Sequence, residues 1–122
     1  MLLKTIDPGA AHPPPHASAF RDVPIREGEM FLLPANVPHN PIRFANTVGV
    51  VIEQKRPEDS IDTLRWYCQN CRDVVHEASF HCTDLGTQIK QAVQAFGKDE
   101  GKRKCGNCGE LCEMTPKDVV QP

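Results

Sequence analysis

Three side chains that could do chemistry lie in one stretch, GEMFLLPANVPHNPIRFANTVGVVIE, which covers residues 28–53. His39 and Arg43 fall in a loop rich in Pro and Asn, and Glu53 follows the apolar run after it. An imidazole can bind a metal or transfer a proton, a guanidinium can bind an anion, and a carboxylate can act as an acid or base. Two alternatives remain open on spacing alone: a binding site on this loop, or a solvated loop whose His and Arg face water.

The elements that must position these side chains are predicted to be two strands. Apolar runs at residues 30–33 and 48–52 flank a turn that contains several prolines, and the second strand is predicted to span residues 48–54. β-rich runs on either side of such a turn are typical of neighbouring strands joined by a loop. Residues 26–29 are predicted to form a tight turn, in which Gly28 provides backbone freedom that other residues lack.

A second group of candidate ligands is formed by cysteines. Four of the six cysteines make two Cys-x-x-Cys pairs, Cys68 with Cys71 and Cys105 with Cys108. One such turn brings two thiolates to a point, and two turns complete a tetrahedral shell of four sulfurs. The spacing favours metal binding, and paired disulfides or redox thiols are the alternative. Cys82 and Cys112 fit neither pair and are expected to be free thiols, buried or half-buried.

Further strands are predicted on both sides of the 28–53 stretch. They are expected at residues 1–6, 20–25, 64–67 and 74–77. The Pro-rich segment 7–16 is expected to be a loop, and its His12 and His16 are interpreted as surface residues. A charged segment at 55–62 is interpreted as a linker, which places a boundary between two parts of the chain near residue 60.

One helix is predicted at about residues 84–96, because apolar residues recur there on one face. These residues are Leu85, Ile89, Ala92, Val93 and Phe96. Thr83 or Asp84 is expected to cap the start of the helix and Gly97 to end it. The helix is expected to pack on the strands and to bring the second cysteine pair back to the first. The basic run at 102–104 is interpreted as a solvated face that partly offsets the charge of the thiolates.

Composition restricts the class of protein. The chain has 122 residues, of which 39% are hydrophobic and 25% charged, so we expect a soluble globular domain, or a domain with a lobe. A net charge of −2 gives no general attraction to nucleic acid or to an anionic membrane. No apolar run is long enough to span a bilayer, and the first residues, MLLKTID, lack the features of a signal peptide. We therefore expect a cytoplasmic protein.

Longer strings of the sequence resemble a known family. Gly28, Glu29, Pro34 and His39 are spaced as in the second conserved motif of the cupin barrels. Within the cupins, LLPANVPHNPIRFANTVGVVIEQKRP and LRWYCQNCRDVVHE are similar to the 3-hydroxyanthranilate 3,4-dioxygenase family, in its bacterial and fungal form. The resemblance implies a mainly β fold: part of a cupin barrel, a double-stranded β-helix or jelly roll, at residues 1–60. It implies a small rubredoxin-like metal lobe with one helix at residues 61–122.

The resemblance also implies an activity. Members of the family hold a non-haem Fe(II) with two His and one Glu, and they open the ring of 3-hydroxyanthranilate with O₂. The product, 2-amino-3-carboxymuconate semialdehyde, cyclises to quinolinate, a precursor of NAD. This reaction belongs to the kynurenine pathway of tryptophan catabolism. The resemblance further suggests a homodimer, and neither nucleic acid nor a membrane is expected as a partner.

Each candidate residue receives a role from the resemblance. His39 matches an iron ligand and is therefore catalytic, whereas Arg43 matches the residue that pairs with the substrate carboxylate. Glu53 matches the residue that hydrogen-bonds the polar edge of the ring, a catalytic and substrate-binding role. The four paired cysteines match a second metal site, remote from the chemistry, which accepts Fe or Zn.

One part of the family pattern is missing from the sequence. The first cupin motif, which supplies the other His and the Glu ligand, precedes the segment that MLLK matches, and no His-x5-Glu occurs before His39. We therefore expect a shortened gene model rather than a natural short protein, with weak or no activity by itself. The alternative is a non-catalytic metal-knuckle interaction module that retains a cupin remnant. A weaker alternative is a nucleic-acid-binding zinc ribbon.

Overall fold

The computed structural model describes residues 1–7 and 19–113, and these residues are mainly β. The elements are β1 Leu2–Ile6, β2 Phe20–Pro24, β3 His39–Ile42, β4 Asp62–Tyr67, β5 Val74–Phe80, α1 Leu85–Lys98 and α2 Glu100–Arg103. The prediction of a mainly β fold is confirmed. The chain divides into two compact units, the first covering Met1–Ile52 and the second beginning at Glu53. The boundary predicted near residue 60 falls inside the second unit.

An antiparallel sheet with strand order β2-β1-β3 forms the first unit. β1 is the central strand, and its residues Leu2, Leu3 and Ile6 are buried. Prolines occur in both outer strands, at Pro24 and Pro41, and not in β1. This distribution follows from the chemistry of proline, which has no N–H to donate and is tolerated only where one side of a strand is unpaired.

The prediction of strands at residues 30–33 and 48–54 was wrong. Neither run forms a strand, and Met30, Leu32, Val48 and Ile52 are all more than nine-tenths exposed. High β-propensity is insufficient by itself, because a strand is stabilised by a hydrogen-bonded ladder and by side chains packed across it. Neither run has such a partner among the described residues.

The placement of His39 in a loop was also wrong. His39 begins β3 and lies opposite Thr5 of the central strand. The hydroxyl of Thr5 donates to Pro38 O at 2.9 Å, which holds the start of β3 against the sheet. The tight turn before it was predicted correctly, because Glu29 N donates to Arg26 O at 3.0 Å and Gly28 has φ 79°. The histidine is therefore carried by a paired strand, although its side chain is exposed.

A hairpin of β4 and β5 with the helix α1 forms the second unit. The predicted helix is confirmed, and the Asp84 side chain caps it by accepting from Thr87 N at 3.3 Å. The helix runs through Gly97 to Lys98, so the predicted end at Gly97 was wrong. Glycine is tolerated one residue before a helix end, and Asp99 provides the cap.

Aromatic stacking joins the helix to the hairpin. Phe96 is fully buried, and its ring centroid lies 4.6 Å from that of Trp66 on β4. His76 on β5 completes the group, with its ring 5.4 Å from Trp66. The apolar stripe of the helix therefore meets the strands mainly through Phe96.

No helix in the described ranges is long and apolar enough to cross a membrane.

Removing the Phe96 ring should destabilise the second unit. We expect Phe96→Ala to lower its free energy of unfolding by about 3 kcal/mol, because truncating a buried aromatic residue leaves a cavity. The protein has a single tryptophan, so the fluorescence of Trp66 during urea denaturation reports this unit directly. Leu85→Ala, in the exposed first turn of the same helix, is the matched control and should cost far less. Equal losses in both variants would contradict the packing described.

Candidate functional site

The four paired cysteines converge on one point. Their sulfur atoms all lie within 4.8 Å of one another. The sulfurs pair across the two loops, Cys68 with Cys108 at 3.5 Å and Cys71 with Cys105 at 3.6 Å. Four sulfurs arranged tetrahedrally about a metal ion lie about 3.8 Å apart, for metal–sulfur bonds of about 2.3 Å. The spacing of this four-Cys centre therefore fits a tetrahedral ion.

Both loops of the centre have the same backbone conformation. Cys68 N donates to Asp73 O at 2.7 Å and Arg72 N to Cys68 O at 3.0 Å, while Cys105 N donates to Glu110 O at 2.8 Å and Gly109 N to Cys105 O at 2.9 Å. The residue after the second cysteine has positive φ in each loop, 67° at Arg72 and 76° at Gly109. Arg72 adopts an uncommon conformation for a residue with a side chain, and its guanidinium donates to Gln69 O at 2.8 Å.

Backbone N–H groups point at the sulfurs. In the first loop, Asn70 N and Cys71 N donate to Cys68 Sγ at 3.4 and 3.5 Å. In the second loop, the backbone groups of Asn107 and Cys108 donate to Cys105 in the same way. Such donors favour sulfur in its thiolate form, which is the form that binds a metal.

The second cysteine of each loop is further stabilised as a thiolate. A hydrogen bond from the Asn107 side chain is the main cause that lowers the pKa of Cys71, to about 6. At Cys108, the backbone N–H of Glu110 and then the Asn70 side chain lower the pKa. These two thiols are half-buried and exposed, respectively, so solvent also reaches them.

The first cysteine of each loop is buried and behaves differently. Burial raises the pKa of Cys68. At Cys105, the backbone N–H groups of Cys108 and Asn107 favour the thiolate, but burial and the neighbouring thiols raise the pKa to about 11. Four adjacent sulfurs cannot all ionise cheaply without a cation, because like charges disfavour one another. A bound divalent ion would remove this obstacle.

The remaining cysteines stay outside the centre. All six cysteines are free thiols, so the disulfide alternative is not realised in this structure. Cys112 is buried and packs against Cys68 and Cys105, whereas Cys82 is half-buried. Both match the expectation of free thiols that belong to neither pair.

His39 lies in the first unit, and its ring orientation is defined. Its Nδ1 is 2.8 Å from Val37 O. A carbonyl oxygen can only accept a hydrogen bond, so Nδ1 carries the proton and a neutral ring keeps its lone pair on Nε2. Metal-binding histidines commonly show this arrangement, in which the second ring nitrogen donates to a backbone carbonyl.

The other two predicted residues, Arg43 and Glu53, each have hydrogen-bond partners of their own. Arg43 Nη1 donates to Gly49 O at 2.9 Å, which fixes the guanidinium and leaves further N–H donors for an anion. Glu53 belongs to the second unit, where its carboxylate accepts from Arg56 Nη1 at 3.0 Å. Arg56 also donates from Nε to Asp62 at 2.9 Å, so it joins two carboxylates.

The four cysteines form a complete set of ligands for a metal ion, whereas His39 belongs to no such set among the described residues. Over residues 1–7 and 19–113, the four cysteines are the one group of three or more His, Cys, Asp or Glu residues close enough to share an ion. His39 therefore belongs to no group of three such ligands in the part of the chain described. His12 and His16 lie outside the described residues.

Sequence reasoning missed a short repeat. The segments CQNCRD at residues 68–73 and CGNCGE at residues 105–110 occupy equivalent positions in the two loops, and both Cys and the Asn are identical between them. The repeated Asn, at Asn70 and Asn107, was the signal that could have identified the side-chain donors to sulfur. Cys-x-x-Cys is an established metal-binding pattern, whereas an asparagine in a turn is normally explained by the turn itself.

Comparison with known proteins gives a consistent result. Residues 1–97 match the family model described as 3-hydroxyanthranilic acid dioxygenase. This chain belongs to the 3-hydroxyanthranilic acid dioxygenase family. It is 62% identical over 117 residues to the 3-hydroxyanthranilate 3,4-dioxygenase of Neurospora crassa, a match that covers 96% of this chain and 60% of the relative.

Two further relatives in the dioxygenase family show the same pattern. The 3-hydroxyanthranilate 3,4-dioxygenase of Podospora anserina is 60% identical over 118 residues, covering 97% of this chain and 60% of the relative. That of Scheffersomyces stipitis is 55% identical over 117 residues, covering 96% and 64%. This member of the family therefore spans roughly three-fifths of the length of the curated relatives it matches.

The four-Cys centre should determine the metal content of the chain. We expect the purified protein to carry about one equivalent of Fe or Zn, and Cys105→Ser to lose it, since a missing thiolate breaks the shell. Elemental analysis of freshly reduced protein measures both. Cys82→Ser removes a thiol outside the centre and should retain the metal. Metal-free wild-type protein, or equal metal in both variants, would contradict the assignment.

Proposed function

We propose that this chain is part of a 3-hydroxyanthranilate 3,4-dioxygenase. This part carries one iron ligand, the arginine that binds the substrate carboxylate, and the second metal centre. The observation that carries the proposal is the family match over residues 1–97, which includes His39, Arg43 and Glu53. The function is an Fe(II)-dependent ring opening of 3-hydroxyanthranilate with O₂. Its product leads to quinolinate and NAD through the kynurenine pathway.

In this proposal His39 is an iron ligand through Nε2. Support comes from the contact of Nδ1 with Val37 O, which fixes the tautomer and leaves Nε2 able to bind a metal. The pairing of His39 with Thr5 supports the role further, because a ligand on a paired strand is held more rigidly than one on a free loop. When bound, Fe(II) would supply the centre that chelates the substrate and activates O₂.

Arg43 is proposed to bind the substrate carboxylate. Its anchoring to Gly49 O orients the planar guanidinium before the substrate arrives, which reduces the entropy lost on binding. The approach is close, since a Cβ built on Gly49 would lie 3.6 Å from Arg43 Nη1 and 2.9 Å from Met1 Cε. A larger residue at position 49 would therefore displace its neighbours.

Glu53 is proposed to hydrogen-bond the polar edge of the ring. Its ion pair with Arg56 orients the carboxylate as a hydrogen-bond acceptor. Arg56 is itself held cationic, because the hydrogen bond to Glu53, followed by that to Asp62, raises its pKa. Substrate binding would have to share or displace this exposed ion pair, which costs little.

The described residues do not by themselves fit a complete catalytic iron site. His39 is part of no group of three or more ligands among them, and tight sites need three or four protein ligands. We propose that the other two ligands come from the region of the longer relatives that the match does not cover. The chain alone would then bind catalytic iron weakly, so no reaction step is assigned to it in isolation.

Further properties are proposed with this function. The four-Cys centre is proposed to hold Fe or Zn in a structural role, because its sulfur spacing suits either ion. A cytoplasmic location and a homodimer are proposed from the family resemblance. Neither a membrane nor a nucleic acid is proposed as a partner.

One observation favours a second candidate function. The four-Cys centre has a full ligand set within the second unit, independent of the residues around His39. A metal-stabilised interaction module could therefore persist without catalysis. Metal bound in the four-Cys centre, with no ring cleavage even after the missing ligands are restored, would favour this module over the dioxygenase.

Arg43 should control the affinity for substrate. The test uses an extended chain, in which the part of the Neurospora crassa relative that this sequence does not match is joined to the 122 residues. We expect Arg43→Ala to raise KM for 3-hydroxyanthranilate about 30- to 1,000-fold, because losing a charge-assisted partner in a dry site costs about 2 to 4 kcal/mol. Arg43→Lys should rescue only part of this, since an ammonium lacks bidentate geometry. Steady-state kinetics measure both. Arg21→Ala, at an exposed ion pair with Asp7, is the control. Unchanged kinetics in both Arg43 variants would show a surface role.

Ring cleavage should depend on ligands beyond His39. We expect the 122-residue chain to show little or no turnover with added Fe(II) and reductant, because a single imidazole cannot hold iron in the required geometry. The extended chain should be active, and His39→Ala in it should be inactive. The absorbance of the ring-opened product and the bound iron are measured in parallel. Robust turnover by the bare chain would refute the proposal that its iron site is incomplete.

A further inference from the structure

We propose that Arg56 and Asp62 are positioning residues for Glu53, because together they connect its carboxylate to the hairpin of β4 and β5. In this arrangement Arg56 holds one oxygen of the Glu53 carboxylate, and the other oxygen is left to accept a hydrogen bond from the substrate. The inference rests on the proposed substrate-binding role of Glu53. It assigns a function to two residues that do not touch the substrate themselves.

A single guanidinium joins the two carboxylates. Arg56 Nη1 donates to Glu53 Oε1 at 3.0 Å, and Arg56 Nε donates to Asp62 Oδ2 at 2.9 Å. Both hydrogen bonds are charge-assisted, and the planar guanidinium fixes their directions relative to each other. The contact with Glu53 uses Oε1, so Oε2 remains able to accept a hydrogen bond from a ligand.

Asp62 is the fixed end of this chain of contacts. It is the first residue of β4, and it pairs with Phe80 of β5 in the antiparallel ladder. Its side chain is 28% exposed, whereas that of Glu53 is 53% exposed. Because solvent screens the Glu53 contact more strongly, Arg56 is anchored mainly at Asp62 and carries the position of the hairpin to Glu53.

The segment between Arg56 and Asp62 is held by contacts of its own. Ser60 donates to Pro57 O twice, from its backbone N at 3.1 Å and from its Oγ at 2.9 Å. His81, the residue after β5, donates from Nδ1 to Ser60 O at 2.8 Å. The charged segment that the sequence predicted to be a linker is therefore a closed loop, tied to the hairpin at both its turn and its end.

The charges explain why a cation is needed at position 56. Glu53 and Asp62 bind the same guanidinium, so their two negative charges lie close together and repel each other. Arg56 offsets this repulsion while it is present. Without it, Glu53 would lose its only ion pair among the described residues and would face a like charge, and both effects favour a different orientation of its carboxylate.

The test measures binding of 3-hydroxyanthranilate to the extended chain by calorimetry in the absence of O₂. We expect Arg56→Gln to raise Kd about 3- to 5-fold, which is the scale of an exposed ion pair. Asp62→Asn should raise it less, because Arg56 keeps its bond to Glu53. In parallel assays with O₂, kcat should change less than Kd does, since the effect is on binding rather than on the reacting atoms.

A double-mutant cycle separates positioning of Glu53 from support of the fold. Glu53→Gln should itself weaken binding, and Arg56→Gln should then add nothing in that background, because its effect is carried by Glu53. A role confined to the shape of the loop predicts the same loss in both backgrounds. Arg56→Lys should restore part of the affinity, because it keeps the charge without the fork that joins two carboxylates. Fluorescence of the single tryptophan, Trp66, checks that each variant folds.

The matched control is Lys55→Gln, which removes the same charge from the neighbouring, exposed residue and should leave Kd unchanged. If the extended wild-type chain binds no substrate, or if Glu53→Gln binds it as wild type does, the proposed role of Glu53 is wrong and this inference falls with it. If Glu53→Gln weakens binding but Arg56→Gln does not, or if Arg56→Gln weakens it equally in both backgrounds, the positioning role alone is refuted.

Discussion

Four sulfur atoms held within 4.8 Å of one another repel once they ionise. The surrounding groups of the second unit reduce this repulsion. Backbone N–H groups and side-chain amides surround the sulfurs with donors, and a cation would complete the balance. The same atoms also form the buried cluster of this unit, since Cys68, Cys105 and Cys112 pack together with Cys71 and Val75 beside them. The site and the core are thus the same structure, and losing one disrupts the other.

Small units rarely bury enough apolar surface to be stable without a metal, a disulfide or a partner. Among the described residues of the second unit, the largest fully buried side chains are Phe96 and two of the paired cysteines. Phe96 connects the helix to the hairpin, and the helix leads the chain back to the second cysteine loop. The apolar stripe of the helix therefore serves the metal centre, because it sets where Cys105 and Cys108 arrive.

Sequence reasoning succeeded where local chemistry decides structure. The cysteine spacing identified the four-Cys centre, and the apolar periodicity with Asp84 as cap identified the helix. It failed at residues 30–33 and 48–54, because strand formation there depends on partners distant in the sequence. The site around His39 was only partly predictable, since the tautomer depends on Val37 O and the anchoring of Arg43 on Gly49 O. Contacts of this kind are set by the folded backbone.

The exposed apolar runs affect the tendency of the protein to self-associate in solution. The segment VGVVI at residues 48–52 contains β-branched residues, no proline and no charge, and most of its side chains face solvent. Segments of this composition readily pair edge to edge with identical copies, in the manner of cross-β assemblies. We therefore expect self-association through this segment to limit the usable concentration of this chain. A charged gatekeeper residue, such as Val50→Lys, would extend it without touching the four-Cys centre.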